Sequence, residues 1–208
     1  MRIAYLLSFV LASLGCASTG TGERSIDRTG FDLAACAPAS ARLFEALTPA
    51  TPVDYLEWRS HVGGEAARGT RCAGASDATA CEDAVASLTA PVDAWAAMTS
   101  GGAPAPLTYL VFTRGDEVGA VGRDGLGALL APLDAADAAF VAQAATQGTV
   151  PCCESRVRAV PGGHEVIVSR THTCGCQRDE LLVMVGADGA AEILELVVVA
   201  EGEAMICP

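Results

Sequence analysis

The chain has 208 residues, a net charge of −12 and nine cysteines, and all 13 of its basic residues are arginine. Nucleic-acid binding needs clustered positive charge to displace counterions, so this composition argues against a nucleic-acid partner. An anionic membrane surface also repels a domain of this charge, which leaves membrane attachment to some other device.

The N-terminal residues have the order of an export signal. Arg2 gives a positive start, and residues 3–14 form an unbroken apolar run. A run of that length is too short to span a bilayer as a helix, which needs about 20 residues, but it fits the apolar region of a secretory signal. We therefore expect residues 1–15 to be a signal peptide.

The apolar run ends in Ser13-Leu14-Gly15-Cys16, which resembles the bacterial lipobox. This resemblance implies that Cys16 receives a thioether-linked diacylglycerol, and a cleaved signal with a coincidental cysteine is the alternative. Several acyl chains give a stable membrane anchor. Because no acidic residue follows Cys16 directly, the same resemblance favours the outer membrane of the cell envelope. Residues 16–30 are then the lipidated cysteine and a flexible tether, and residues 31–208 a single domain.

The first half of that domain predicts helices and one short strand. Apolar residues at helical spacing predict a helix over 39–47, whereas 53–58 fits a strand or a further helical turn, with the strand favoured. Residues 63–77 are small, polar and turn-like. Asp77 offers an N-cap for a helix over 78–88, and residues 101–106 read as a loop.

The second half predicts a strand over 107–112, a turn at Gly115-Asp116 and a return strand over 118–121. Helices over 126–130 and 132–145 follow, the second starting at Pro132. Four more strands are predicted at about 152–160, 164–174, 180–186 and 191–199. This order predicts an α+β domain in which an antiparallel sheet of two or three hairpins packs with three to four helices, stapled by disulfides.

With Cys16 lipidated, eight cysteines remain, and an even number in an oxidising compartment predicts up to four disulfides. They are Cys36, Cys72, Cys81, Cys152, Cys153, Cys174, Cys176 and Cys207. The connection from Cys72 to Cys81 is short and rich in glycine and alanine, so we expect these two to be bridged.

A hairpin near residue 162 sets the neighbours of the other cysteines. Taking Gly162-Gly163 as its two-residue turn pairs Pro161 with His164. Extending this register along the strands places Cys153 opposite His172.

Three interpretations compete for the resulting face, which carries Cys153, His172, Cys174 and Cys176. In the structural one, Cys153 forms a disulfide with Cys174 or Cys176, and Cys152 on the other face reaches Cys36 or Cys207. The others are a soft-metal site for Zn²⁺ or Cu⁺ and disulfide exchange through the closely spaced cysteines. The oxidising compartment favours the structural interpretation.

Three phrases are similar to an uncharacterised domain of predicted bacterial lipoproteins: TRGDEV at 113–118, LLAPLDAADAA at 129–139 and THTCGC at 171–176. In some of those proteins, similar segments precede a ferritin-like helical domain. The resemblance covers roughly residues 105–208 and implies no activity. Since this sequence ends at Pro208, we expect neither a ferritin-like partner domain nor its di-iron chemistry.

Together these patterns predict a lipid-anchored, non-enzymatic structural or interaction module without a cofactor, which meets an unidentified protein partner in the envelope. The Arg114-Gly115-Asp116 tripeptide is interpreted as turn chemistry. Asp134, Asp137 and Glu165 are interpreted as scattered acids, and His61 and His164 as surface residues. The alternative function is a thiol-based protein that binds a soft metal or exchanges disulfides through the face defined above.

Overall fold

The computed structural model describes residues 25–33, 43–60, 63–96, 106–150, 154–171 and 178–200. Its strands are β1 (Asp32–Leu33), β2 (Tyr55–Ser60), β3 (Gly63–Gly69), β4 (Trp95–Ala96), β5 (Leu107–Arg114), β6 (Glu117–Val121), β7 (Ser155–Val160), β8 (Gly163–Thr171), β9 (Arg178–Gly186) and β10 (Ala191–Ala200). The helices are α1 (Leu43–Ala46), α2 (Ala78–Ser87), α3 (Leu126–Leu130) and α4 (Ala135–Thr146). The predicted α+β class is confirmed.

The strands form two antiparallel sheets. In sheet A the order is β1-β7-β8-β9-β10, so the C-terminal meander is joined at one edge by the short N-terminal strand. In sheet B the order is β3-β2-β5-β4, and β6 also pairs with β5. Sequential hairpins account for most of these pairings, as the predicted strand order requires.

Helix α4 packs against sheet A and reaches sheet B through one aromatic side chain. The Phe140 ring meets the Trp58 ring edge-on, with centroids 5.8 Å apart, and the Trp95 ring at 5.9 Å. Seven of the twelve residues of α4 are alanine, and the helix is buried on nearly every side. Small side chains let a helix approach its neighbours closely, and burial all round is typical of a central helix.

The start of α4 differs from the prediction that Pro132 is its first residue. The helix begins at Ala135, because the Asp134 carboxylate accepts hydrogen bonds from the backbone N–H groups of Ala136 and Asp137. The Asp137 side chain accepts in turn from the Asp134 N–H, which completes a reciprocal capping box. The N-cap of α2 at Asp77 is confirmed, since its carboxylate accepts from the Ala80 N–H.

The segment predicted to be turn-like over 63–77 is a strand in its first part, β3. This strand pairs with β2, which confirms the strand favoured over 53–58. The small residues of β3 let neighbouring backbone segments lie close together. A Cβ on Gly69, whose φ is +81°, would lie 2.2 Å from the Asp54 carbonyl oxygen. The glycines that looked like turn residues therefore belong to tightly packed sheet backbone.

The predicted turn at Gly162-Gly163 is wrong. The turn is Pro161-Gly162, and Ala159 rather than Pro161 pairs with His164. Proline fixes φ at the first central position, and Gly162 supplies the positive φ of +90° at the second. Gly163 is instead a strand residue, where a Cβ would lie 2.0 Å from the Val185 carbonyl oxygen.

Candidate functional site

Residues 25–31 form an N-terminal strap across the face of sheet A that α4 leaves free. Ile26 and Phe31 are only 5% and 7% exposed and pack on the fully buried Ile167. Leu182 and Val197 border the same contact. The folded part therefore includes residues that were predicted to belong to the flexible tether ending at residue 30.

A buried carboxylate holds the strap in place. Glu180 on β9 accepts hydrogen bonds from the Ile26 N–H at 3.3 Å, from Arg156 at 2.9 Å and from Arg28. The side chains of Glu180 and Arg156 are each 5% exposed, so the pair is almost out of water. Removing one partner of such a pair leaves an uncompensated charge, which makes Glu180 a structural residue.

A second charged cluster lies on sheet B beside α2. The Glu57 carboxylate accepts two hydrogen bonds from Arg59, at 2.9 and 2.6 Å, and one from the Tyr55 hydroxyl, at 3.0 Å. Arg71 donates to the Tyr55 oxygen and covers the tyrosine ring. Burial raises the pKa of Glu57, but hydrogen bonds and the charge of Arg59, with help from Tyr55 and Arg71, hold that pKa below its usual range. The carboxylate is thus ionised and fully engaged within the protein.

Asp137, predicted to be one of several scattered acids, is fully buried at the start of α4. Besides the capping box, its carboxylate accepts from the Thr48 N–H at 2.9 Å. Arg68 donates hydrogen bonds to the backbone oxygens of Glu45 and Leu47, in the same segment as Thr48. Burial raises the pKa of Asp137 to about 6, and the neighbouring Asp134 charge adds to the rise against two backbone hydrogen bonds that lower it.

The Arg114-Gly115-Asp116 tripeptide forms a turn, as predicted, and both of its charges have partners. Arg114 donates to Glu117 at 3.0 and 2.6 Å, and Asp116 accepts from the Ser76 backbone and hydroxyl. A shallow surface depression next to this turn, on the α2 side, is lined by Ser76, Asp77, Ala80, Cys81, Ala84, Asp116 and Val118. Its two carboxylates cap a helix and close a loop, so they have structural roles.

Two of the remaining predicted residues are partly covered rather than freely exposed. His164 is half-buried on β8, which differs from the predicted exposed position. The Glu165 carboxylate pairs with Arg158, which also stacks over the Phe31 ring with its guanidinium carbon 4.5 Å from the ring centroid. Glu165 thereby helps to fasten the strap.

The predicted bridge between Cys72 and Cys81 is present, with the two sulfurs at bonding distance, 2.00 Å. Cys72 lies after β3 and Cys81 in the first turns of α2, and both are buried. The Cys72 N–H donates to the Thr113 hydroxyl on β5. The bridge therefore connects α2 to the edge of sheet B.

The remaining predicted cysteines lie outside the described residues: Cys16, Cys36, Cys152, Cys153, Cys174, Cys176 and Cys207, as do His61 and His172. The alignment of Cys153 with His172 depended on the hairpin register that pairs Pro161 with His164, and that register is wrong. Within the described ranges, no group of three His, Cys, Asp or Glu side chains could hold a metal ion.

Three neighbouring large apolar residues stand exposed on sheet A and form the β10 ledge: Ile193, Leu194 and Leu196. Their exposed fractions are 52%, 49% and 50%. β10 is a terminal strand of the sheet and has no strand on its outer side among the described residues. The strand is predicted from the sequence, but the ledge is not. The signal for it is that the last strand of a meander, which forms a sheet edge, carries three large apolar residues.

Register assigns the side chains of β10 to two faces. Ile193 pairs with Val183, and both therefore lie on the face that packs on α4. Glu192 pairs with Met184 and Glu195 with Leu182, which places both carboxylates on the strap side. The bulge between Ile193 and Glu195 shifts the alternation by one residue, so these two side chains lie on opposite faces.

None of the helices described above is both long enough and apolar enough to cross a membrane. Compared with protein families, with curated proteins and with solved structures, the chain shows no match.

Proposed function

We propose that the chain is an exported protein of the bacterial cell envelope, anchored by lipid on Cys16, whose domain is a non-enzymatic interaction module. The Cys72–Cys81 bridge is the observation that supports export from the cytosol. Stable disulfides form in oxidising compartments and are rare in the cytosol. The apolar N-terminal run and the cysteine that follows it supply the route and the attachment point.

The strap supports a short connection between lipid and domain. Only residues 17–24 separate Cys16 from the strap. A fully extended chain of that length reaches about 30 Å, so the anchor would hold the domain close to the membrane surface. The domain's own charge does not favour a membrane, and the lipid provides the attachment instead.

The interaction role is supported by how the charged groups are used. Glu57, Asp137 and Glu180 are the buried carboxylates described above, and each is engaged by backbone or arginine donors of the same chain. Carboxylates held in this way stabilise the fold, while the β10 ledge presents apolar surface to solvent. Large exposed apolar residues on a sheet edge are typical of a surface that meets another protein.

Mass spectrometry of the chain recovered from bacterial membranes tests the anchor. We expect an N-terminal peptide that begins at Cys16 and carries the mass of a diacylglycerol with further acylation. Cys16→Ser should abolish the added mass and release the domain, whereas Cys36→Ser should retain both. A mature chain that begins elsewhere, without lipid, would refute the proposal. Recovery with the inner membrane on a density gradient would refute the outer-membrane location.

Alkylation of the unreduced chain, followed by intact mass measurement, tests the structural interpretation of the cysteines. We expect no alkylated cysteine, because the eight that follow Cys16 would form four disulfides. Two or more alkylated cysteines would instead support the thiol-based function through Cys153, His172, Cys174 and Cys176. His172→Ala should then reduce metal binding or exchange, and it should have no effect under the proposal.

A further inference from the structure

We propose that β10 accepts an extended segment of a partner protein that is apolar on one face and basic on the other. The strand runs over ten residues, Ala191–Ala200, and its outer side has no strand partner among the described residues. Backbone N–H and C=O groups on such an edge form a template for an added strand. The inference rests on the proposed interaction role, but it is independent of the lipid anchor.

The two faces of β10 set the pattern that an added strand must present. On the α4 side, Ile193 and Leu196 each stand half-exposed beside the buried Val183 and Leu181. On the strap side, the carboxylates of Glu192 and Glu195 are exposed. Because side chains of a strand alternate between faces, the partner needs aliphatic residues on one face and arginine or lysine on the other.

The length of the strand distinguishes this edge from the other end of the same sheet. There, β1 contributes only the two residues Asp32–Leu33. Natural edges are usually blunted by short strands, prolines or inward-pointing charges. β10 is long, has no proline and carries its charges on one face, so it is an edge suited to specific pairing.

Charge argues for a different chain as the partner and against a second copy of this one. In an antiparallel pair of two β10 strands, residues of the same face meet, so Glu192 and Glu195 of both copies would lie together. Like charges across a strand pair are unfavourable, and each copy brings a net charge of −12. A basic face relieves this repulsion and adds attraction.

Peptide binding to the full purified chain tests the proposal. The probes are labelled ten-residue peptides in which valine alternates with arginine, valine alternates with glutamate, or the valine–arginine composition is scrambled. At physiological salt, fluorescence anisotropy should show the alternating basic peptide binding at least about tenfold tighter than either of the others. Hydrogen exchange of backbone amides in residues 192–198 should slow when this peptide binds.

Charge reversal on the strand provides the decisive comparison. Glu192→Arg combined with Glu195→Arg should reverse the preference, so that the alternating acidic peptide binds more tightly than the basic one. Asp83→Arg combined with Asp124→Arg changes the net charge equally on exposed positions elsewhere and should leave the preference intact.

If both double variants lost binding equally, the net charge of the chain would be enough to explain the attraction, and the proposal would be overturned. So would a chain that forms a β10-mediated dimer, recognised by sedimentation and abolished by Leu196→Lys. Since these measurements need no lipid, their failure is separable from failure of the anchor, which the mass of the Cys16 peptide reports.

Discussion

At the scale of single residues, neighbours from distant parts of the chain decide what an acidic side chain does. Asp134 and Asp137 stand three positions apart in an alanine-rich stretch, and both cap α4. Only Asp137 is buried, because the Thr48 segment covers it and binds its carboxylate. Arg68, whose charge interacts with Asp137, donates its hydrogen bonds to the backbone oxygens of Glu45 and Leu47.

Asp137 should make the stability of the protein depend on pH. Burial raises its pKa in the folded state from the ordinary 3.8 to about 6. Its contribution is therefore complete below about pH 4 and is lost as pH rises through 6. A rise of this size corresponds to roughly 3 kcal/mol.

Urea unfolding of the native chain and of Asp137→Asn at several pH values checks this dependence. The free energy of unfolding of the native chain, minus that of the variant, should fall by about 2 kcal/mol between pH 4 and pH 7. Asp83→Asn, at an exposed position, should show no such trend. A difference that stays constant with pH would contradict the burial argument.

At the scale of elements, α2 and α4 are each positioned by one strong local signal and one distant contact. The Asp77 cap starts α2, and the bridge from Cys81 to Cys72 attaches it to sheet B. The capping box starts α4, and Phe140 places it between Trp58 and Trp95. Local chemistry therefore begins the helices, and contacts between elements orient them.

Removal of the bridge should loosen α2 without unfolding the sheets. Cys72 and Cys81 are nine positions apart, and closing a loop of this length contributes about 2–3 kcal/mol in the chain-entropy model. Cys72→Ala combined with Cys81→Ala should lower the free energy of unfolding by this amount, measured in urea. Amide exchange should quicken chiefly over 71–87, and equal quickening in β8 and β9 would argue against a local role.

At the scale of the whole molecule, the two sheets share α4 and a core, and the strap closes the remaining face of sheet A. The strap binds by apolar packing at Ile26 and Phe31 and by the charges around Glu180. Opposite it, the β10 ledge stays open. Among the described residues, sheet A thus carries an apolar region that the strap covers and another, the β10 ledge, that stands half-exposed.

Loss of one apolar contact should release the strap. Phe31→Ala removes a buried ring that packs on Ile167 and carries Arg158 above it. We expect the free energy of unfolding to fall by about 3 kcal/mol and trypsin to cleave faster after Arg28. Thr29→Ala, at an exposed position, should change either measurement little. Equal cleavage rates in the two variants would show that the strap does not depend on Phe31.

Local signals in the sequence were sufficient for most elements. The Asp77 cap, the turn at Gly115-Asp116, the β5–β6 hairpin and the Cys72–Cys81 bridge were all predicted and are present. Each depends on residues within about ten positions of one another, and such contacts carry their physical cause in the local residue pattern.

The errors were at positions where short patterns admit two structures. Pro161-Gly162 and Gly162-Gly163 both make acceptable turns, and Gly163 lies in the strand because it pairs with Gly186 on β9. The glycines of β3 suit a loop as well as a strand until β2 lies beside them. A shift of turn moves every pair along a hairpin, which is why the predicted partner of Cys153 was lost.

By itself, the sequence determined the α+β class, the order and approximate bounds of most strands, and the Cys72–Cys81 bridge, because caps, turns and strand alternation act over short distances. The tertiary structure alone decided that the strands form two sheets, that Asp137 is buried, that the strap covers one face of sheet A and that β10 has no strand on its outer side among the described residues. Those outcomes depend on surfaces that lie far apart in the sequence, as in the contacts of Thr48 with Asp137 and of Ile26 with Glu180, which are 89 and 154 positions apart. No local pattern encodes such a meeting, since burial is a property of the assembled chain.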